Sequence, residues 1–258
     1  MLIRVIRGNW AQKMIQHTKG IVLRTVKYGE TSLVVTMLTE LFGIQSYMVN
    51  GVRTNSKKGA GRANLFQPIA ILELEVYHNE LKNLQRIKEF KWSYLYKTIF
   101  FDVRKNAVAL FMVELLQKCL KQPEENPELF SFAEDAFIHL DESAEAVTAN
   151  FPLFFAIHLS SFFGFRLEDE YDETHNILDL REGRFVTQHP DHQQYLEDPL
   201  CFITSQLLRV MQPEELTLLK LNFETRRTLL QAYEAFYALH VPDFGAIRSL
   251  PILQEVLG

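Results

Sequence analysis

The stretch GIVLRTVKYGETSLVVTMLTELFG, residues 20–43, decides the fold of the first third of this 258-residue chain. Its first ten residues mix β-branched and polar side chains with a period close to two, which is typical of a half-buried strand. Tyr28-Gly29 is a turn signal, and a second β-rich segment follows it. The stretch therefore predicts two consecutive strands joined by a turn.

Three more segments continue this pattern. IQSYMVNGV (44–52) and PIAILELEVYHN (68–79) alternate apolar and polar residues, and LKNLQRIKEF (81–90) follows a turn at Asn79. Five short strands in about 70 residues indicate a small barrel or sandwich, and they fit an oligonucleotide/oligosaccharide-binding (OB) barrel. We predict this barrel over residues 14–92, with residues 1–13 as an extension outside the fold.

After about residue 92 the apolar period becomes that of a helix. A helical domain is predicted over 93–258, so the fold class is α+β. The predicted helices are 101–121, 127–142, 147–163, 198–211, 213–221, 223–241 and 244–258, the last interrupted by Pro251. Residues 165–198 are polar and irregular, with a small hairpin expected at 179–186.

The cysteines and the apolar segments favour a cytoplasmic location. Cys119 and Cys201 lie far apart and form no CxxC pair, which indicates a reducing compartment. The longest apolar stretch, 151–165, is too short to span a bilayer, so we interpret it as a buried helix and expect no membrane partner.

The net charge of −5 conceals an asymmetry. Residues 1–91 contain 14 basic and 6 acidic side chains, whereas residues 92–258 contain 13 basic and 26 acidic ones. Residues 1–91 therefore carry +8 and residues 92–258 carry −13. Such a difference suggests that the two parts have different partners, and the basic half is the candidate for binding a polyanion.

The loop VRTNSKKGAGRANLFQP (52–68) gathers cations between glycines. It is not a nucleotide-binding P-loop, because Ala60 and Arg62 follow Gly59 and Gly61 where that motif needs Lys-Ser/Thr. The chain also lacks a G-x-S-x-G nucleophile elbow and an H-E-x-x-H metal motif. We therefore expect no enzymatic activity and no catalytic residue.

Glycines allow a backbone to approach a ligand closely, and lysines and arginines neutralise phosphates. Residues 82, 86 and 88 share strand parity and should point to one face. Tyr28, Tyr47 or Tyr77 could stack on bases, although core positions or a solvated charged face would explain these residues as well. The candidate DNA-binding residues are Arg24, Lys27, Arg53, Lys57, Lys58, Arg62, Arg86 and Lys88.

Taken in order, several motifs resemble the RecO family of bacterial recombination mediators. They are GIVLRTVKYGETSLVVTMLTELFG (20–43), GVRTNSKKGAGRANLFQPIAILELEVY (51–77), LYKTIFFDVRKNAVALFMVELL (95–116) and IHLSSFFGF (157–165). The resemblance implies a protein that binds single- and double-stranded DNA, anneals strands, and works with RecR to load RecA in the RecF pathway. It also implies that the helical domain binds the acidic tail of the single-stranded-DNA-binding protein.

Two features of the helical half bear on this resemblance. Many RecO members bind zinc through four cysteines, but residues 166–201 contain one cysteine, so we expect no zinc and no other cofactor. Phe185 and Tyr195 would then anchor the hairpin. An acidic tail would need an apolar pocket edged by cations, for which the candidates are Arg104, Lys105, Lys118 and Lys121, although ordinary helix-surface charge explains them as well.

Two other classes of function stay open. The basic barrel could bind an acidic protein partner and act as an interaction scaffold. A small-molecule-binding regulator is a third reading, but the sequence contains no motif in its favour.

Overall fold

The computed structural model describes residues 15–53 and 62–258, and the chain divides into two compact units. The first contains the chain up to Leu41 together with Gln45–Ser93. The second contains Phe42–Ile44 and Tyr94–Gly258. The predicted extension, residues 1–13, lies outside the described residues.

The first unit is a closed five-stranded barrel. Its strands are β1 (Ile15–Tyr28), β2 (Ser32–Thr39), β3 (Gly43–Val49), β4 (Ile71–Tyr77) and β5 (Leu84–Trp92). They close in the order β1-β2-β3-β5-β4, with β3 parallel to β5 and β1 antiparallel to both β2 and β4. This topology is that of the OB fold, so the predicted fold is confirmed.

Alternation fills the barrel, because every second residue of each strand points inward. Val22, Val35, Met37, Val49 and Leu72 are fully or almost fully buried in this way. Strand β4 begins three residues later than predicted. Ile69 has a left-handed backbone (φ 71°), which an extended strand does not contain.

Tyr47 is also completely buried, since β3 directs it into the barrel. Burial raises the pKa of its phenol well above the ordinary value. The expectation that Tyr47 could stack on a base is therefore wrong, because its ring has no surface exposed to a ligand.

The second unit is built on α-helices. They are α1 (Val103–Cys119), α2 (Pro127–Glu142), α3 (Glu145–Leu159), α4 (Leu200–Arg209), α5 (Phe223–His240) and α6 (Leu250–Leu257). Helix α2 has the predicted bounds, and its N-terminus is encoded by local sequence. The Asn126 side chain accepts a hydrogen bond from Leu129 N, and Pro127 occupies the first turn. Helix α3 continues as a 3₁₀ turn to Phe163 and stops at Gly164, which has φ 78°.

Helix α3 packs its apolar residues on all sides, which is typical of a central helix. With the following 3₁₀ turn it forms Glu145–Phe163, the one helix in the described residues that is long and apolar enough to cross a membrane. In its most apolar window, 67% is buried inside the protein.

The end of the chain differs from the sequence-based expectation. Residues 244–249 are not helical, and α6 begins at Leu250, so Pro251 occupies its first turn and does not interrupt a longer helix. Proline is tolerated there because the N–H it lacks would have no partner within the helix.

A small sheet occupies the predicted irregular segment. Its strands are β6 (Ile177–Asp179), β7 (Arg184–Val186) and β8 (Tyr195–Leu196), in the order β7-β6-β8. Strands β6 and β7 form the predicted hairpin. Phe185 is buried and packs edge-on against Tyr171, whereas Tyr195 is half-buried with its ring near His189.

Candidate nucleic-acid interface

The outer surface of the barrel has a continuous face on β1, β2, β3 and β5. It begins with Arg24, Val26 and Tyr28, three exposed residues of the same strand parity at the end of β1. In the antiparallel register these lie opposite Thr36, Val34 and Ser32 of β2. Leu33 and Val35, which alternate with these three β2 residues, are buried in the barrel. The six paired residues of β1 and β2 therefore lie on the outer surface.

Strands β3 and β5 extend the same face. The hydroxyls of Thr36 and Ser46 lie 3.4 Å apart, which connects β2 to β3. In the parallel register Ser46 lies opposite Leu84, and Met48 lies opposite Arg86. We call this surface the outer face, defined by residues 24, 26, 28, 32, 34, 36, 46, 48, 84 and 86.

The outer face is apolar at its centre and positive at two edges. Val26, Val34, Met48 and Leu84 supply the apolar surface, and Tyr28 is 58% exposed beside them. Strands β1, β2 and β3 contain no acidic residue. In the part of the chain that the structure describes, Arg24 and Arg86 make no ion pair. Exposed apolar surface between unpaired cations suits bases and phosphates respectively.

Arg86 also lies opposite Tyr77 in the antiparallel pairing of β4 with β5. Tyr77 is half-buried, so unlike Tyr47 it keeps part of its ring exposed. Lys27 has the other strand parity. It lies opposite Leu33 and is exposed at the end of β1, away from the row formed by Arg24 and Tyr28.

Of the four cations of the 52–68 loop, Arg53 and Arg62 lie in the described part of the chain. Arg53 is held at the β1–β2 turn, where its guanidinium donates to Gly29 O at 3.1 Å and its backbone N–H donates to Thr31 O at 3.0 Å. Arg62 places its guanidinium 4.9 Å from the centre of the Phe90 ring. Lys57 and Lys58 lie outside the described residues.

The shared face predicted for residues 82, 86 and 88 does not form. Lys82 lies in the β4–β5 loop, before β5 begins. A bulge displaces Lys88 from the register, since Ile87 pairs with Val76 and Glu89 with Glu75. The Lys88 ammonium binds the Glu75 carboxylate at 2.8 Å, so its charge is locally neutralised.

The β4–β5 loop borders a cleft of about 450 Å³ that includes Lys82 and Arg86. The buried Gln85 side chain holds this loop through hydrogen bonds to its backbone. Its buried amide accepts from Asn79 N at 3.0 Å and donates to Asn79 O and Lys82 O at 2.8 and 2.6 Å. Burial lowers the pKa of His78, another lining residue, and Glu80 partly offsets this. The positive charge of the cleft at neutral pH therefore comes from Lys82 and Arg86.

A second cleft, of about 550 Å³, lies against β1, β4 and β5. Four glutamates line it, with lysines between them. Lys91 binds Glu73 at 2.8 Å, as Lys88 binds Glu75. This side of the barrel is mixed in charge and internally compensated, so it is a poorer surface for a polyanion.

The four candidate cations of the helical unit are placed differently from one another. Arg104 forms an ion pair with Glu145. Lys105 is 7% exposed and donates to Thr98 Oγ1 at 3.0 Å and Asp141 O at 2.7 Å, so it does not belong to a partner surface. Lys118 donates to Phe244 O at 2.5 Å and contacts its ring, while Lys121 is exposed.

An apolar groove of about 260 Å³ lies beside the start of α1. It is lined by Phe101, Val103, Leu110 and Ile252 among others, and Arg104 follows Val103 directly. Phe101 is 84% exposed. The sequence patterns did not indicate this groove, because α6 and α1 come together only in the folded unit.

The segment where the family resemblance places zinc does not fit that metal. Its one thiol, Cys201, is buried: Sγ donates to Leu196 O at 2.8 Å and accepts from Leu178 N at 3.1 Å. Burial raises the pKa of the thiol to about 12, so it stays protonated and is a poor ligand. His189 and His192 contact Glu197 and Asp179. Among the described residues, no group of three or more potential ligands could hold a metal ion.

Comparison with known proteins agrees with this architecture. Residues 14–96 match the family Recombination protein O N terminal, and residues 101–250 match Recombination protein O C terminal. A DNA repair protein RecO from Bacteroides fragilis is 35% identical over 246 residues, covering 94% of this chain and 99% of the relative. The corresponding protein from Phocaeicola vulgatus is 33% identical over 243 residues, covering 94% and 99%. The chain therefore belongs to the RecO family of bacterial DNA repair proteins.

Proposed function

We propose that this protein is a non-enzymatic recombination mediator of the bacterial cytoplasm that binds single- and double-stranded DNA through its barrel. One observation carries the proposal. The outer face, on an OB barrel, presents apolar side chains between two arginines that form no ion pair with a described residue, and none of its ten residues is acidic. Bases can pack on the apolar centre while phosphates contact the edges.

Strand annealing follows from the same charge distribution. Two complementary strands repel each other through their phosphates, and a positive surface that binds both lowers this repulsion. We propose that the loop cations Arg53, Lys57, Lys58 and Arg62 supplement Arg24, Lys27 and Arg86 in this role. Lys88 contributes less, because its ammonium is paired with Glu75.

The salt dependence of binding tests the electrostatic part. If four to six phosphates are contacted, the log–log slope of single-strand affinity against salt should be roughly −3 to −4. The double variant Arg24→Ala/Arg86→Ala should reduce the slope by about 1.4, because each lost phosphate contact removes about 0.7. Fluorescence anisotropy with a labelled oligonucleotide measures both quantities.

Lys88→Ala/Lys91→Ala is the matched control, since it removes the same charge from two ion-paired lysines of the same barrel. A loss of DNA affinity equal to that of the arginine pair would show that net charge, and not the outer face, determines binding. The quadruple alanine variant at 53, 57, 58 and 62 tests the loop separately. Wild-type protein that fails to bind DNA but binds an acidic protein would support the scaffold function instead.

For the helical unit, we propose that the groove beside α1 binds the acidic, aromatic tail of the single-stranded-DNA-binding protein. Its exposed Phe101 and Val103 offer apolar contacts, and Arg104 is adjacent in the chain. Phe101→Ala should weaken binding of a labelled tail peptide at least 10-fold. Leu95→Ala, which removes another exposed apolar side chain of this unit, should not.

Partnership with RecR and the loading of RecA on coated DNA complete the proposal. They rest on membership of the family. A strand-exchange assay with RecA, RecR and coated single strands tests them. Addition of this protein should shorten the lag before exchange, and the Arg24→Ala/Arg86→Ala variant should restore the lag.

A further inference from the structure

Leu81 is the most exposed large apolar side chain among the described residues, at 94%. It lies between Glu80 and Lys82 in the loop joining β4 to β5. Burying a leucine side chain stabilises a folded protein, so this position forgoes a sizeable stabilisation. A single exposed leucine is common on protein surfaces, and its meaning depends on whether the loop could turn it inward.

The loop is held in a defined conformation. Leu81 N donates to the Asn79 side chain at 2.9 Å, and Lys82 N donates to Asn79 O at 3.0 Å. The buried Gln85 amide makes the three further hydrogen bonds to Asn79 and Lys82 described above. Asn79 and Gln85 thus fix the backbone on both sides of Leu81, which keeps the leucine in solvent.

The surroundings of the loop indicate what the leucine contacts. The adjoining cleft is lined by Tyr77, Lys82, Leu84 and Arg86 among others. Leu84 and Arg86, both in β5, also belong to the outer face. An apolar tip with cations behind it is the arrangement by which DNA-binding proteins insert a side chain between bases while holding the neighbouring phosphates. The loop between strands 4 and 5 is also one of the regions through which OB folds bind oligonucleotides.

We propose that Leu81 is a base-contacting wedge: it inserts between adjacent bases of a single strand whose phosphates are held by Lys82 and Arg86. The inference rests on the proposed function of the barrel and assigns a specific role to this loop. Insertion into a duplex must unstack paired bases at each step, which costs more than insertion into a single strand. The wedge therefore favours single strands over duplexes.

The test uses the full-length chain and a single-stranded oligonucleotide that carries one 2-aminopurine between adenines. The fluorescence of this base rises when it is unstacked from its neighbours. Wild-type protein at saturation should raise it, and Leu81→Ala should bind 3- to 10-fold more weakly and raise it much less. The salt slope should not change, because no phosphate contact is lost. Leu81→Met should restore both affinity and signal.

Leu95→Ala is the control, since it truncates another exposed leucine outside the barrel. Leu81→Ala should also reduce the preference for single strands over duplexes, measured as the ratio of the two dissociation constants. If Leu81→Ala matches wild type in affinity and fluorescence while Arg24→Ala/Arg86→Ala binds poorly, the wedge is refuted and the DNA-binding face stands. If wild-type protein binds no single strand, the proposed function fails first and the wedge fails with it.

Discussion

Arg86 of β5 lies directly opposite Met48 of β3 in the parallel pairing of these two strands. This pairing places a cation against the apolar centre of the outer face. Met48 is half-buried and points outward, so it can be changed without opening the barrel core.

Met48→Glu should therefore weaken single-strand binding about 10-fold, which corresponds to about 1.4 kcal/mol. The new carboxylate would lie next to Arg86 and repel the phosphates that this residue attracts. Fluorescence anisotropy at fixed salt measures the effect. Leu95→Glu adds the same charge to the helical unit, and an equal loss in that variant would contradict a local effect.

Gln85→Leu should destabilise the barrel by about 2–3 kcal/mol. The substitution removes the three hydrogen bonds that the buried Gln85 amide makes to the loop backbone: Asn79 N and Lys82 O lose this partner, while Asn79 O keeps its bond from Lys82 N. Each lost partner costs about 1–3 kcal/mol. Trp92 lies in β5, so the change in its fluorescence during urea unfolding reports the first unit. Asn83→Ala, an exposed amide of the same loop, should change stability by less than about 0.5 kcal/mol.

Asp141→Ala should destabilise the helical unit by about 3–5 kcal/mol. The buried Asp141 carboxylate accepts from the backbone N–H groups of Lys97, Thr98 and Ile99, each at 2.8 Å. Without it, three donors lose their charged acceptor. Circular dichroism at 222 nm reports the helices. Asp135→Ala removes an exposed carboxylate from the same helix and should have little effect; a similar loss there would count against the network.

The contribution of Asp141 should depend on pH. Burial would raise the pKa of this carboxyl, but the hydrogen bonds from Lys97, Thr98 and Ile99 outweigh it and hold the pKa below the ordinary 3.8. A carboxyl whose pKa is lower in the folded state than in the unfolded state stabilises the protein at pH values above its unfolded-state pKa. This stabilisation is lost as the pH falls through the folded-state pKa. The stability difference between wild type and Asp141→Asn should be complete at pH 7 and shrink below about pH 4. A difference that stayed constant to pH 2 would exclude this linkage.

Removal of metal should leave the protein unchanged. The purified chain should contain less than about 0.1 zinc per molecule, because Cys201 is a buried, protonated thiol and the nearby histidines contact carboxylates. Elemental analysis and thermal unfolding with and without a chelator check this. Stoichiometric zinc, or a large fall in the melting temperature on chelation, would mean that the sheet β7-β6-β8 is held by metal.

The sequence alone determined the fold class and much of the local structure. Period-two alternation predicted the five strands, because it reflects which side of each strand is buried. The bounds of α2 were correct because Asn126 and Pro127 encode its start locally. Pro251 was misread, since a proline signals both a helix start and a break, and only its neighbours in the fold distinguish the two.

Tertiary structure decided which side chains are available to a ligand. Strand parity could not reveal that Lys88 sits at a bulge beside Glu75, or that Lys105 is buried against Asp141, because both partners are remote in sequence. It also could not place Met48 beside Arg86, since the β3–β5 pairing joins segments almost forty residues apart. Charge and periodicity are properties of local sequence, so they identify a basic barrel; the pairing and burial of each charge depend on contacts that only the folded chain brings together.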